Sequence, residues 1–422
     1  MSTSKSTKKS WHYIALLILA GEAVFILPFV LARVFRATVL DVFEINNTEI
    51  GLCFSIYGLV ALGSYLVGGP LADRFPSRKL MGVALLLTAA GGLVYVNNPS
   101  FLTLKILYGY WGFTTIFLFW AGMIKATRVW GGTDDQGKAF GFLDGGRGLV
   151  GALFGLLGLL IFATFVGDAS ENLETLNRAE AFQQVVYTSS MIVAAIGVLV
   201  FFFLKLKHEE SVIIQKEKIT FQNIKTVLKL PSVWLLMIII LCAYVGYKIT
   251  DIFSLYAREV MNYTEVEAAQ TGTFLLFIRP VVGVVIGFLA DRSRASIYLS
   301  LGFILTIVGA ILFASGILPN STTLFFFTTI SITAVGVYSA RVLYFAVMEE
   351  GKIPLLLTGT AVGVISFVGY TPDIFAGPMI GYFLDGWKGE TGHQYVFWAL
   401  AGFSVVGLIA SLIFNTLAKK IK

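Results

Sequence analysis

Arg33, Arg147, Lys248, Arg279 and Arg341 stand inside long apolar stretches of this sequence, as do the carboxylates Glu22, Asp144, Asp251 and Asp373. An ionisable side chain in an apolar membrane helix costs roughly 2.5–3.5 kcal/mol on insertion scales, so such residues turn toward a partner or a water-filled cavity. Cations gathered around a cavity hold an anion through charge-assisted hydrogen bonds, bidentate where arginine is involved. Tyr244, Tyr338 and Tyr370 stand beside them and offer hydroxyls that bond a solute or order water. Glu22 and Asp373 are the candidate proton carriers, since a carboxylate sheltered from water can exchange a proton near neutral pH.

Helical spacing sorts these residues into faces. Glu22 and Arg33, eleven positions apart, share one face, and Arg36 points away from it. Tyr244, Lys248 and Asp251 line a second face, Tyr338, Arg341 and Tyr344 a third, and Ser366, Tyr370 and Asp373 a fourth. The same spacing allows Arg147 to pair with Asp144, and Lys248 with Asp251, as local structural ties. Lys105 and Lys125 sit nearer helix ends, where long side chains reach the interface.

The elements that must position these groups are membrane spans. Of 422 residues, 57% are hydrophobic and 13% charged, with a mean hydropathy of +0.82. A soluble chain would expose large apolar patches at this composition, whereas a bilayer requires it. Apolar stretches near 12–40, 49–70, 79–97, 101–127, 138–167, 184–206, 232–258, 268–289, 296–315, 322–348, 355–384 and 393–418 predict twelve helices. The first reads as a retained helix rather than a signal peptide. Pro28, Pro280, Pro372 and Pro378 fall inside these stretches and are expected to kink them. With the N-terminus inside, cytoplasmic loops hold about 20 of the 31 Lys and Arg residues and outer loops about three, which places both termini in the cytoplasm.

The polar stretch 207–231 separates a six-helix bundle at 1–206 from a second at 232–422. Within the linker, Phe221, Ile224 and Leu228 share one face, as in an amphipathic surface helix. The expected fold is thus an all-α membrane protein of twelve transmembrane helices in two pseudo-symmetric six-helix bundles. Cys53 and Cys242 lie in apolar stretches, and His12, His208 and His393 are scattered, so no disulfide framework or metal site is expected. No nucleophile–base spacing points to an enzyme, and no cofactor is expected. The net charge of +6 follows from the loop asymmetry and implies no nucleic-acid partner. The expected partners are the lipid bilayer, a small-molecule solute, and a coupling proton or counter-anion, with the protein acting as a monomer.

The segment Gly69-Pro70-Leu71-Ala72-Asp73-Arg74 between the second and third stretches recurs as Gly287-Phe288-Leu289-Ala290-Asp291-Arg292 between the eighth and ninth. A parallel six-helix repeat of this kind is one plan of secondary transporters. With the repeat, the charge asymmetry and the helix count, the chain resembles the major facilitator superfamily over nearly its whole length. That family's signature in this loop runs G-x-x-x-D-R/K-x-G-R/K-R/K; here Pro76 replaces the glycine and Ser77 a basic residue. The resemblance implies alternating access in a plasma membrane (the inner membrane of a bacterium), with Gly69, Asp73, Arg74, Gly287, Asp291 and Arg292 as gating loops. It also implies a cavity lined by helices 1, 4, 7 and 10, with 5, 8 and 11 beside it, where most of the buried charges fall.

Within the superfamily, Leu31-Ala32-Arg33 resembles the helix 1 arginine of organophosphate:phosphate antiporters. Lys248 then corresponds to their helix 7 cation, and Arg147 lies where they carry a basic histidine. The segment from Gly359 to Tyr370 is similar to their helix 11. The implied solute is a small organic anion: a phosphate ester, sulfonate or carboxylate. Arg33, Lys248, Arg147, Arg341, Tyr244, Tyr338 and Tyr370 would bind it. The alternatives are a proton-coupled symporter of a neutral sugar or peptide, and a nitrate/nitrite-type porter. Arg279-Pro280 is similar to the latter's eighth helix, but the second helix here lacks its arginine. The runs Gly148, Gly151, Gly155, Gly158 and Gly377, Gly381 are expected as close seams between moving parts.

Overall fold

The computed structural model describes residues 10–131, 136–166, 175–206, 221–319, 322–344, 346–348, 350–353 and 358–420. Among the described residues every regular element is helical. Ten helices are long and apolar enough to cross a membrane, and Trp11–Ala23 with Ile26–Val34, bent by 41°, makes an eleventh span. The pair Thr358–Gly369 and Pro372–Gly386 fills the remaining place in chain order, each half too short to cross alone.

Span 1 is thus Trp11–Ala23 plus Ile26–Val34, prolonged by Arg36–Val42. Spans 2 to 6 are Asn47–Arg74, Ser77–Val96, Phe101–Gly131, Gln136–Val166 and Thr175–Phe203. A short helix, Phe221–Leu228, follows with Val227 buried, close to the expected surface helix. Spans 7 to 10 are Pro231–Glu259, Glu265–Asp291, Ala295–Ala314 and Thr323–Leu343. Span 11 is the broken pair, and span 12 is Glu390–Lys420.

The two halves repeat their local signals as well as their order. Span 2 opens with a capping box between Asn46 and Glu49, and span 8 with one between Thr264 and Glu267. Span 4 is capped by Ser100 and span 10 by Thr322. Each cap satisfies backbone N–H groups that the first helical turn leaves free. Spans 1 and 7 are both interrupted: span 1 by a π-helical turn at Ile26–Val30 containing Pro28, span 7 by a 3₁₀ turn at Thr250–Ile252. A proline removes a backbone donor, and the wider turn absorbs the missing bond. Pro372 opens the second half of span 11, at the break expected there, whereas Pro280 lies inside the single helix of span 8 and Pro378 inside Pro372–Gly386.

Buried apolar side chains form one cluster from Ile14 to Leu204, joined by Ala269 and Leu276 of span 8, and two more between Val227 and Ala418. The halves meet through spans 1, 2 and 5 on one side and 7, 8 and 11 on the other. A Cβ added to Gly51 would lie 2.5 Å from the Gly377 carbonyl, and one on Gly381 would lie 2.4 Å from the Thr48 backbone. A Cβ on Gly272 would lie 2.9 Å from Val34 Cα. These are backbone-to-backbone contacts that only glycine permits.

The closeness is confined to one end and the middle. Toward the end carrying Arg74, Arg78, Arg292 and Arg294, Gly63, Gly141, Gly145, Gly287 and Gly363 have no described neighbour within 4 Å of an added Cβ. The close backbone contacts between the halves thus lie at mid-span and toward the opposite end, away from the basic end that the positive-inside rule assigns to the cytoplasm. At that opposite end the halves are locked. Asp385 accepts the backbone N–H of Asn47 and Thr48, Thr38 donates to Glu265, and Arg178 reaches both Asp41 and Glu265.

Candidate functional site

The interruptions of spans 1, 7 and 11 lie at the level of the buried charges. Arg33 sits in the short helix Leu31–Val34, between the π turn and the break at Phe35 (φ −111°, ψ 41°). Asp251 sits in the 3₁₀ turn of span 7. Arg33 Nε donates to Asp251 Oδ1 at 2.5 Å, and the Ser254 hydroxyl donates to the Arg33 carbonyl at 2.7 Å. Both contacts cross between the halves, and both charged side chains are buried. Breaking such a pair by removing one partner costs about 3–5 kcal/mol, because the other charge stays behind.

One turn back on span 7, Lys248 Nζ lies 3.0 Å from Asp373 of span 11. The Tyr244 hydroxyl donates to the same carboxylate at 3.0 Å. Phe29 and Phe54, 4.7 and 5.4 Å from the ammonium, supply ring faces on the other side. Nearer the basic end, Glu22 of span 1 lies between two arginines. Arg147 Nε of span 5 is 3.3 Å away and Arg279 Nη1 of span 8 is 3.4 Å away. Arg147 belongs to the first half and Arg279 to the second, so Glu22 ties the halves at mid-depth.

Tyr247 lies between these pairs. The Arg341 guanidinium stacks on its ring with Cζ 3.4 Å from the centroid, and Arg33 and Arg279 approach it at 4.7 and 6.0 Å. A cation over a desolvated aromatic face gains about 2 kcal/mol. Arg341 has no carboxylate within ion-pair distance among the described residues, and its Nη1 is buried without a hydrogen-bond partner. The Tyr338 hydroxyl is likewise buried and unpaired, with its ring 6.5 Å from Tyr247. Six cations (Arg33, Arg36, Arg147, Lys248, Arg279, Arg341) therefore share three carboxylates (Glu22, Asp251, Asp373) among the described residues, leaving three positive charges in excess.

The structure brings together most of the residues expected from sequence and re-pairs them. Lys248 bonds Asp373 rather than Asp251, because the 3₁₀ turn carries Asp251 round to Arg33. Arg147 keeps a longer contact of 3.6 Å to Asp144, but Asp144 is largely exposed and Glu22 is the buried partner. Glu22 and Arg33 both turn toward the second half, Glu22 to Arg279 and Arg33 to Asp251, on either side of the π turn. Arg36 does not point away. It is buried, holds Asn47 Oδ1 at 3.1 Å, and lines a small cavity with Lys248, Asp251 and Phe54. Tyr370 bonds Tyr344 at 3.1 Å and packs its ring on Tyr244. Lys125 reaches the end of span 2, where its Nζ donates to the Ala72 carbonyl at 2.9 Å.

Four members of the cluster were not among the candidate binding residues: Tyr247, Asp251, Arg279 and Arg36. Tyr247 follows Tyr244 at helical spacing and was readable as an aromatic on the charged face. Asp251 and Arg36 depend on breaks in spans 7 and 1 that periodicity alone does not reveal, whereas Arg279 lies in the single helix of span 8 and is legible as an intramembrane charge. The expected gating loops are helical: Gly69 and Arg74 lie within span 2, and Gly287 within span 8. The side chains of Asp73 and Asp291 lie outside the described residues. Arg74 is exposed, and Arg292 stacks on Phe288 at 4.0 Å. Of the glycine runs, Gly148 faces Pro280 and Gly155 faces Leu276 across the halves, whereas Gly151 and Gly158 pack against span 1 of their own half.

Comparison with known proteins agrees with this architecture. The family model described as Major Facilitator Superfamily matches residues 13–376. Inner membrane protein YihN of Escherichia coli (strain K12) is 27% identical over 96% of this chain and 95% of its own length. Inner membrane protein YqcE of the same organism is 26% identical over 95% and 93%. Among solved structures, the inward-facing, occupied bacterial homologue of the human lysosomal transporter Spinster superposes with a TM-score of 0.71. It is 15% identical, and the match covers 98% of both chains. A mutant form of the nucleoside transporter NupG gives 0.73 at 14% identity, over 96% of this chain and 99% of that one. The chain is a multi-pass membrane protein and a secondary transporter, not an enzyme, and it belongs to the Major Facilitator Superfamily.

Proposed function

We propose that this transporter carries a small organic anion (a phosphate ester, sulfonate or carboxylate) through a site around Tyr247 by alternating access. The observation that carries the reading is the excess of positive charge in the cluster, with Arg341 lacking any carboxylate among the described residues. A dianion placed against Arg341 and Arg33 would neutralise two of those charges, and each charge-assisted bond contributes about 1.5–3 kcal/mol. Lys248 and Arg147 would assist, and Tyr244, Tyr338 and Tyr370 would meet the uncharged part of the solute. Glu22 and Asp373, expected as proton carriers, are both engaged with cations and serve in this reading as counter-ions. The segments at Gly69–Arg74 and Gly287–Arg292 lie at the basic end, where they would gate.

The test is thermal stabilisation of the purified protein by a panel of phosphate esters, sulfonates, carboxylates, sugars, nucleosides and nitrate. A cognate ligand at a hundred times its Kd stabilises by about 2.7 kcal/mol. The reading expects this from a dianion and its loss in Arg341→Ala. Stabilisation by a sugar or nucleoside, with none by any anion, overturns it.

A further inference from the structure

The Arg33–Asp251 pair raises a problem for an anion carrier, because one of the two arginines set to receive the anion already holds a carboxylate. That carboxylate comes from the opposite half. Its turn also carries a second inter-half bond, from Ser254 to the Arg33 carbonyl. Asp251 also lines the small cavity beside Arg36 and Lys248. Arg36 lies one turn along the first span from Arg33, and its guanidinium donates to the neutral oxygen of Asn47.

We propose that Asp251 is an internal stand-in for the transported anion. In the empty carrier it neutralises Arg33 across the interface, and so allows the two halves to close at the end opposite the basic loops with no solute bound. When an anion takes Arg33, the Asp251 carboxylate turns to Arg36 and Lys248 in the adjoining cavity, and closure proceeds with the anion in its place. The consequence is a carrier that returns empty. Without Asp251, closure would require an anion in every cycle, and only exchange of one anion for another would remain. This inference rests on the anion reading of the site.

The physical basis is the cost of an unpaired buried charge. Closing the halves around Arg33 without a counter-charge desolvates a guanidinium that nothing neutralises, whereas closure around a neutral side chain carries no such penalty. A purely structural tie would behave differently. If Asp251 acts only as a hydrogen-bonding clasp, removing both partners leaves the interface as weak as removing one.

The experiment measures closure directly by the distance between spin labels at Asn97→Cys and Lys388→Cys. Both sites are exposed in loops of opposite halves at the closed end, and Cys53 and Cys242 are replaced by serine. Inorganic phosphate, with chloride as the only other anion, is the probe. Unsubstituted protein is expected to populate the short distance without phosphate. Asp251→Asn should lower the closed-to-open ratio by more than about tenfold, and millimolar phosphate should restore it. The Arg33→Gln/Asp251→Asn double variant should close again without phosphate. The proposal is overturned if Asp251→Asn closes like the parent in phosphate-free buffer, or if the double variant stays as open as the single one. Should Asp251→Asn fail to fold, the double variant and Arg33→Gln alone carry the test, since both are expected to close without anion. The anion reading fails separately, through a thermal panel in which no anion stabilises the unsubstituted protein.

Discussion

Asp385 of span 11 accepts the backbone N–H groups of Asn47 at 3.0 Å and Thr48 at 2.6 Å, so a carboxylate of one half caps the first turn of span 2 in the other. A helix N-terminus carries free donors and partial positive charge, and here both are satisfied across a moving interface. Asp385→Ala is therefore expected to loosen the closed end by about 1 kcal/mol, the usual worth of a cap. The Asn97–Lys388 label distance should shift toward the open population by roughly fivefold, with little change at the basic end.

The backbone seam between spans 2 and 11 makes a steric prediction. Gly51→Ala would place a methyl group 2.5 Å from the Gly377 carbonyl, where no flexible side chain can yield. The variant should fold but lose the closed population and transport with it. Gly63→Ala on the same span meets no described atom within 4 Å and removes a helix-interior glycine, which favours the helix by about 1 kcal/mol. It is expected to keep transport and to match or exceed the parent in Tm.

Removing Asp373 should be more harmful than removing its partner together with it. Asp373→Asn strands Lys248 in an apolar setting, with an expected loss of about 3–5 kcal/mol in stability. The Lys248→Met/Asp373→Asn pair, left with no buried charge, should recover most of that loss in thermal unfolding. If the double variant melts as low as the single one, Lys248 is not held by charge pairing.

Tyr247 gives the Arg341 guanidinium a flat surface at 3.4 Å. Tyr247→Leu removes that surface while keeping an apolar side chain, and should weaken anion binding by about 2 kcal/mol, or about thirtyfold in Kd. Tyr247→Phe retains the ring and should stay within a few fold of the parent. Calorimetric titration with the best stabilising anion distinguishes the two outcomes.

A pH dependence follows at the closed end. Burial and the nearby Glu265 carboxylate push the Asp41 carboxyl above the ordinary range, with Arg178 opposing the shift from 3.5 Å. A raised carboxyl favours its protonated form in the arrangement that brings Glu265 beside it. The contribution to closure is therefore present at low pH and is lost as pH rises through the raised Asp41 value. Asp41→Asn, permanently neutral, should flatten this part of the label-distance profile between acidic and neutral pH.

The span order, the paired Gly69 and Gly287 segments and the identity of most buried charges were legible in the sequence, because apolar length and intramembrane charge are strong signals in a membrane chain. What was hidden is which charge meets which. Regular helical geometry places Lys248 and Asp251 on one face, yet a three-residue 3₁₀ turn sends them to different helices. Regular periodicity also turns Arg36 to the wrong side, since Phe35 departs from helical geometry just before it. Inter-half bonds such as Asp385 to Asn47 join residues more than 300 positions apart, and no local pattern in a single sequence announces them.

The π turn in span 1 has a mechanical consequence. Glu22 and Arg33 ride on the same span, yet the bend between Trp11–Ala23 and Ile26–Val34 makes that span a jointed rod rather than a stiff one. Below the joint, Glu22 fastens to Arg147 and Arg279; above it, Arg33 fastens to Asp251. Each clasp can therefore be released with its own arm of the rod while the other stays fastened, so that the two ends of the transport path need not open together.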